Sequence, residues 1–216
     1  MNISANGTTE TRERVLEAAG EVFAEKGFEK ATIREIVERA GANLNAVNYY
    51  FRDKHGLYVA LFEHAHRTVG GKDREAFEAI RHLPPDERLR AVIIHVLRGF
   101  ILTKRASWES RLMLREMIEP TGVLDLMVER FIRPRFDTLV SLVRELLPAQ
   151  ATRMQAALCA ESILGQCAHI AHRRFVVSRL IPELDYSPEN VEKIAEHITL
   201  FSLAAIRYLP SEESPE

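Results

Sequence analysis

The sequence predicts an all-α protein: an N-terminal three-helix helix-turn-helix domain, then a C-terminal helical bundle domain, about nine helices in all. Three observations carry this. Apolar residues recur at i, i+3, i+4 and i+7 along almost the whole chain. The period-two alternation of a half-buried strand appears nowhere. The joints between periodic segments carry proline or glycine, as in "HLPPDE", "IEPTG", "LLPAQ" and "LIPELDYSPEN".

Residues 1–9 are polar and contain Gly7, and read as a loose arm. A first helix follows over 11–26, with Val15, Ala18, Ala19, Val22 and Phe23 on its inner face. Gly27 is its left-handed stop, and Phe28 packs back on the end. "TIRE" is a capping box that opens the second helix: Thr32 bonds the Glu35 amide and the Glu35 carboxylate returns to Thr32. Ile33, Ile36, Val37 and Ala40 face inward, and Gly41 ends the helix. Asn43 caps a third short helix through Tyr50, and Asp53 a long fourth with Leu57, Leu61 and Ala65 inside. The remaining helices are read over 86–104, 107–118, 123–147, 149–177 and 188–209, with a kink at Pro134. The tail "PSEESPE" has the composition of a disordered segment.

The chain has 216 residues, 46% of them hydrophobic, which is enough for a real core. Its net charge of −2 excludes a polycation, so nucleic acid must be met through a local patch and specific geometry. Cys159 and Cys167 lie eight residues apart on one predicted helix, about 12 Å along its axis. That is too far for an intrachain disulfide, and they read as small buried residues. No apolar run reaches membrane-span length and no signal peptide is evident, so a cytoplasmic protein with no membrane partner is expected.

The stretch "TIREIVERAGANLNAVNYYFRDK" holds a short helix, a Gly-containing turn and a second short helix. A helix this short survives only by packing, which Leu44, Val47 and Phe51 supply in this reading. Asn45, Ala46, Asn48 and Tyr49 then face outward. Asparagine can bond adenine bidentately, an alanine methyl can touch thymine, and tyrosine hydroxyls bond phosphates. Lys54 adds a positive charge at the start of the fourth helix, and Thr32 and Arg34 hold the other side of the groove. The DNA-binding set is Thr32, Arg34, Asn43, Asn45, Ala46, Asn48, Tyr49, Tyr50 and Lys54. The same geometry also serves in protein contacts, which leaves a helical adaptor as the alternative.

The stretch "ATIREIVERAGANLNAVNYYFRDKHGL" resembles the DNA-binding signature of the TetR/AcrR family of bacterial repressors. Thr32, Ile36, Ala40, Gly41, Val47, Tyr50, Phe51 and Lys54 fall at the family's positions, whereas Leu44 stands where many relatives carry Lys or Arg, and Asn48 where Tyr is commonest. "REMIEPT", "FIRPRF" and "ESILGQCAHIAHRR" are similar to the CecR-like subgroup, whose members are often linked to efflux of drugs or toxic compounds. The resemblance implies a DNA-binding domain over 1–52 and a ligand-binding and dimerisation domain over 53–216. It implies a homodimer on palindromic double-stranded operator DNA, released by a small-molecule inducer, with no cofactor.

Candidate ligand-binding residues are Leu61, Phe62, Ala65, Phe100, Trp108, Phe131, Gln166 and His169. The last two long helices carry small residues and a sustained apolar stripe with a second apolar face. Ala160, Ala168, Val191, Ile194, Ile198, Phe201 and Ala205 are the dimer candidates. Glu63 and His66 have the Glu-x-x-His spacing of a di-iron bundle, but the second copy is missing. His169 and His172 lie one turn apart near Arg173 and Arg174, where they read as pocket or interface groups more readily than as metal ligands. No nucleophile elbow, phosphate-cradling loop or HExxH helix is present, so no enzyme is expected and an all-α metalloenzyme is a weak third reading.

Overall fold

The computed structural model describes residues 3–102 and 108–209, with side chains for all of these except 3–8, 66–74, 102 and 110. Among the described residues there are helices and no strand. The elements are α1 (Ile3–Lys30), α2 (Ile33–Ala40), α3 (Leu44–Phe51), α4 (Lys54–Ala79), α5 (Pro85–Leu102), α6 (Trp108–Ile118), α7 (Leu124–Met127), α8 (Arg133–Leu146), α9 (Arg153–His172), α10 (Arg174–Leu180) and α11 (Pro188–Tyr208).

The all-α reading holds, and several boundaries move. Helix α1 starts at Ile3, so most of the expected arm is helical: a lone Gly7 weakens a helix without stopping it. Gly27 does break the helical backbone, at φ 77° and ψ 172°, and Phe28 turns back to stack 6.0 Å from Phe23. The predicted helix 123–147 is divided by a π-helical turn, Val128–Ile132. Pro134 sits in the first turn of α8, where its missing N–H does no harm, and the widened turn before it absorbs the ring. The predicted helix 149–177 starts at Arg153, behind a full Thr152/Gln155 capping box, and bends at Arg173 (φ −94°, ψ 12°) into α10. The tail 210–216 and the start of the predicted 107–118 helix lie outside the described residues.

Two compact units result. The first comprises Met1–Lys72 and Arg105–Phe131, the second Asp73–Lys104 and Ile132–Glu216. Helices α1 to α3 do not close a core of their own. Val15, Val22, Phe23, Ile36, Val47 and Phe51 share one with Leu57, Tyr58, Leu61 and Phe62 of α4 and with Trp108, Leu112, Met127 and Phe131. Two eight-residue helices expose too much surface to stand alone, so the unit recruits α6 and α7. The fit is close at one point: a Cβ on Gly20 would lie 2.2 Å from the Trp108 ring, so only glycine lets α1 and α6 meet. In the second unit α5 packs on α9 and α11, and α8 on α9, around Leu89, Ile93, Leu97, Val143, Ala156, Ala160, Val191 and Ile198.

Candidate nucleic-acid interface

The α2–turn–α3 segment is built by caps. Thr32 Oγ1 accepts the Glu35 amide at 3.2 Å, Gly41 closes α2 in the left-handed conformation (φ 59°), and the Asn43 side chain accepts the Ala46 amide at 3.0 Å. Asp53 Oδ1 then accepts the Gly56 amide at 2.7 Å and starts α4. The capping box at Thr32 is only half formed. The Glu35 carboxylate takes Lys26 Nζ at 2.7 Å instead of returning to Thr32, because an ammonium is the stronger partner.

Helix α3 is locked from within by Val47, Phe51 and Ala46. Two expectations are corrected here. Leu44 is 55% exposed and does not pack, and Ala46 is buried and offers no outward methyl. The inward residues are 46, 47 and 51, whereas Leu44, which has the helical spacing of Val47 and Phe51, stays exposed in the first turn. Asn45, Asn48 and Tyr49 are exposed, Tyr49 at 77%. The half-buried Tyr50 braces the Tyr49 ring edge-on at 4.9 Å.

Charge around this face is mostly spent within the fold. Arg34 Nε meets Glu38 at 3.0 Å, and Arg39 lies 3.4 Å from both Glu21 and Glu25. The Arg12 guanidinium sits 5.4 Å above the Phe51 ring. Lys54 Nζ donates to the Glu29 carbonyl at 3.2 Å and lies 4.7 Å over Phe28. It clasps the end of α1 to the start of α4.

The ligand candidates are divided between the two units. Leu61, Phe62, Trp108 and Phe131 belong to the core of the first unit, with Ala65 buried on the same helix as Leu61, while Phe100, Gln166 and His169 belong to the second. Gln166 Nε2 donates to Ser202 Oγ at 3.5 Å, His169 meets Arg173 at 3.3 Å, and the His172 ring lies 5.5 Å from that of Phe100. Within the second unit, a half-open hollow of about 310 Å³ is lined by Phe77, Ile80, Ala91, Ile94, His95 and Arg98, with Glu192 on its rim. Sequence reasoning missed it because three separate helices supply its wall. Glu63 pairs with Arg130 at 3.3 Å, the His66 side chain lies outside the described residues, and no metal-binding cluster occurs among those described. Both cysteines are free thiols, and burial pushes Cys167 up to about 12.

The dimer candidates divide sharply. Ala160, Val191, Ile194 and Ile198 are buried in the chain's own core rather than on a face left open to a partner. Ala168 is half-buried, and Phe201 and Ala205 are exposed. The outer stripe of α11 is His197, Leu200, Phe201, Ala204 and Tyr208, at i, i+3, i+4, i+7 and i+11, and α9 exposes Met154, Leu158 and Gly165.

Comparison with known proteins agrees with this architecture. The model of the bacterial regulatory proteins of the tetR family matches residues 15–61, and that of the C-terminal domain of the HTH-type transcriptional dual regulator CecR matches 85–206. The curated CecR of Shigella flexneri is 28% identical over 165 residues, 73% of this chain and 74% of that protein. Among solved structures, the fatty acid degradation regulator FadR from Bacillus halodurans has a TM-score of 0.61 at 16% identity, over 90% of this chain and 99% of that one. AibR in complex with isovaleryl coenzyme A and operator DNA has a TM-score of 0.61 at 18% identity, over 88% and 97%. At these identities the solved structures speak for the fold alone.

Proposed function

Since the chain belongs to the tetR family of bacterial regulatory proteins and carries a CecR-type C-terminal domain, we propose that it is a homodimeric, cytoplasmic repressor released from palindromic operator DNA by a small molecule. The observation that carries the reading is the outward face of α3, where Asn45, Asn48 and Tyr49 stand on a helix whose other side is fixed in a core. Residues 1–52 supply the reader, and 53–216 the dimer and the ligand site. No helix among the described residues is long and apolar enough to cross a membrane.

The dimer forms through the outer faces of α9 and α11, with Leu158, Leu200 and Phe201 as anchors and Gly165 and Ala204 allowing close approach. The hollow beside Phe77, Ile94 and His95 supports an effector that is largely apolar with one or two polar groups. That AibR was solved with both an acyl-coenzyme A and operator DNA supports a small organic effector. The test is a gel shift with candidate promoter fragments across a salt series: sequence-selective binding that weakens steeply with salt is expected, and salt-insensitive or absent binding would overturn the reading.

A further inference from the structure

We propose that Arg52 is a contact to the DNA sugar-phosphate backbone, held at the far end of the reading helix by a strained main chain; this rests on α3 being the DNA reader. Arg52 closes α3 at φ 72° and ψ −51°, close to the classic γ-turn, a rare and strained conformation. It is the sole non-glycine with positive φ among the described residues. The tight turn explains the backbone. A Cβ on Gly56 would lie 2.0 Å from the Phe51 carbonyl oxygen, so α4 starts hard against the end of α3.

The turn explains nothing about the side chain. Glycine would take the same dihedrals without strain and stabilise the fold. Arg52 is exposed, and among the described residues it has no ion pair, unlike Arg34 and Arg39 in the same segment. A side chain that strains the chain and contributes no packing points to a role outside the fold.

Its place indicates what that is. Arg52 follows the exposed Asn45, Asn48 and Tyr49 along the chain and sits, itself exposed, at the C-cap of α3 on the turn into α4. A guanidinium fork at the edge of a base-reading surface meets phosphate oxygens, which it can grip bidentately.

The test uses a mixed-sequence DNA duplex, because phosphate contacts act on any sequence. Arg52→Gly should melt at or above the wild-type temperature and bind more weakly. For a dimer with one such contact per protomer, the slope of log K against log salt should become shallower by about 1.8. The loss of affinity between about 50 and about 200 mM salt should then be roughly tenfold smaller. Arg52→Lys should keep the wild-type slope. Binding by Arg52→Gly with unchanged affinity and slope overturns the proposal alone, as does a clear fall in its melting temperature. A wild-type protein that binds no DNA overturns the DNA reading and this proposal together.

Discussion

The Tyr58 hydroxyl donates to the Glu116 carboxylate at 2.9 Å, and both side chains are buried. The second carboxylate oxygen accepts the Thr121 amide at 2.8 Å and the Thr121 hydroxyl at 2.9 Å. Three donors therefore hold one buried acid, and they join α4, α6 and the turn after it. An acid this deep is stable in place only while all its lone pairs are used.

Tyr58→Phe should cost about 1.5–3 kcal/mol, because it leaves a buried carboxylate short of a donor while keeping the ring. Urea denaturation measures it. Burial first, and then the bond to Glu116, raise the Tyr58 phenol above its ordinary range. A raised folded value stabilises the protein below the unfolded tyrosine pKa of about 10, and that stability is lost as pH rises beyond it. Wild-type stability should thus fall above about pH 10, and Tyr58→Phe should fall less steeply.

The DNA face separates two kinds of loss. Asn45→Ala or Asn48→Ala should cost about 1–3 kcal/mol at particular base pairs, if that amide makes a bidentate contact, and leave binding to unrelated DNA unchanged. Lys54→Ala should weaken binding to all sequences. It should also lower stability by about 0.5–1 kcal/mol, because the ammonium is lost from Phe28. Equilibrium shifts on matched and scrambled fragments distinguish the two.

The phase of α3 can be checked directly. Ala46→Leu should destabilise by about 1–3 kcal/mol through overpacking beside Val47, whereas Leu44→Lys should be close to neutral in a melt. The reverse order would restore the arrangement with Leu44 inside and Ala46 outside.

That pair shows what was legible in the sequence. Caps at Thr32, Asn43 and Asp53 and the inner face of α1 could be read directly, because each rests on a local rule. The reader's outward Asn45, Asn48 and Tyr49 followed from the same spacing. Leu44 could not be placed by its hydrophobicity or its spacing, since it shares the i, i+3, i+7 face of Val47 and Phe51 and yet stays exposed in the first turn. The stripe of α11 failed for a related reason. Its two apolar faces look alike in sequence, and only packing against α5 and α9 shows that Ile198 is inside and Leu200 outside. The bend at Arg173 had no proline or glycine to announce it.

The dimer prediction changes accordingly. Leu200→Glu or Phe201→Glu should give folded monomers that no longer bind operator, because the charge falls on an exposed face. Ile198→Glu should unfold the chain, since it buries an unpaired carboxylate in the core. Sedimentation and circular dichroism read the two outcomes. Wild-type protein that stays monomeric at micromolar concentration would remove the dimer from the proposed function.

Release by an effector is the last prediction, and linkage constrains it. Helix α4 starts at the turn that follows the reader, and its residues from Asp73 onward belong to the second unit. Phe77 and Ile80, near its other end, line the hollow. A ligand there acts only if it binds the DNA-competent and released conformations with different affinity. A coupling of roughly 1–3 kcal/mol lowers operator affinity about 5- to 150-fold, and the operator must weaken ligand binding by the same factor. Ala91→Trp, which fills the hollow, should abolish the ligand response while a wild-type operator shift is retained. Calorimetric titration of a screened effector, with and without operator, decides the matter. Equal ligand affinity in the two titrations means that the hollow, occupied or not, does not govern DNA binding, because a site with no differential affinity shifts no equilibrium.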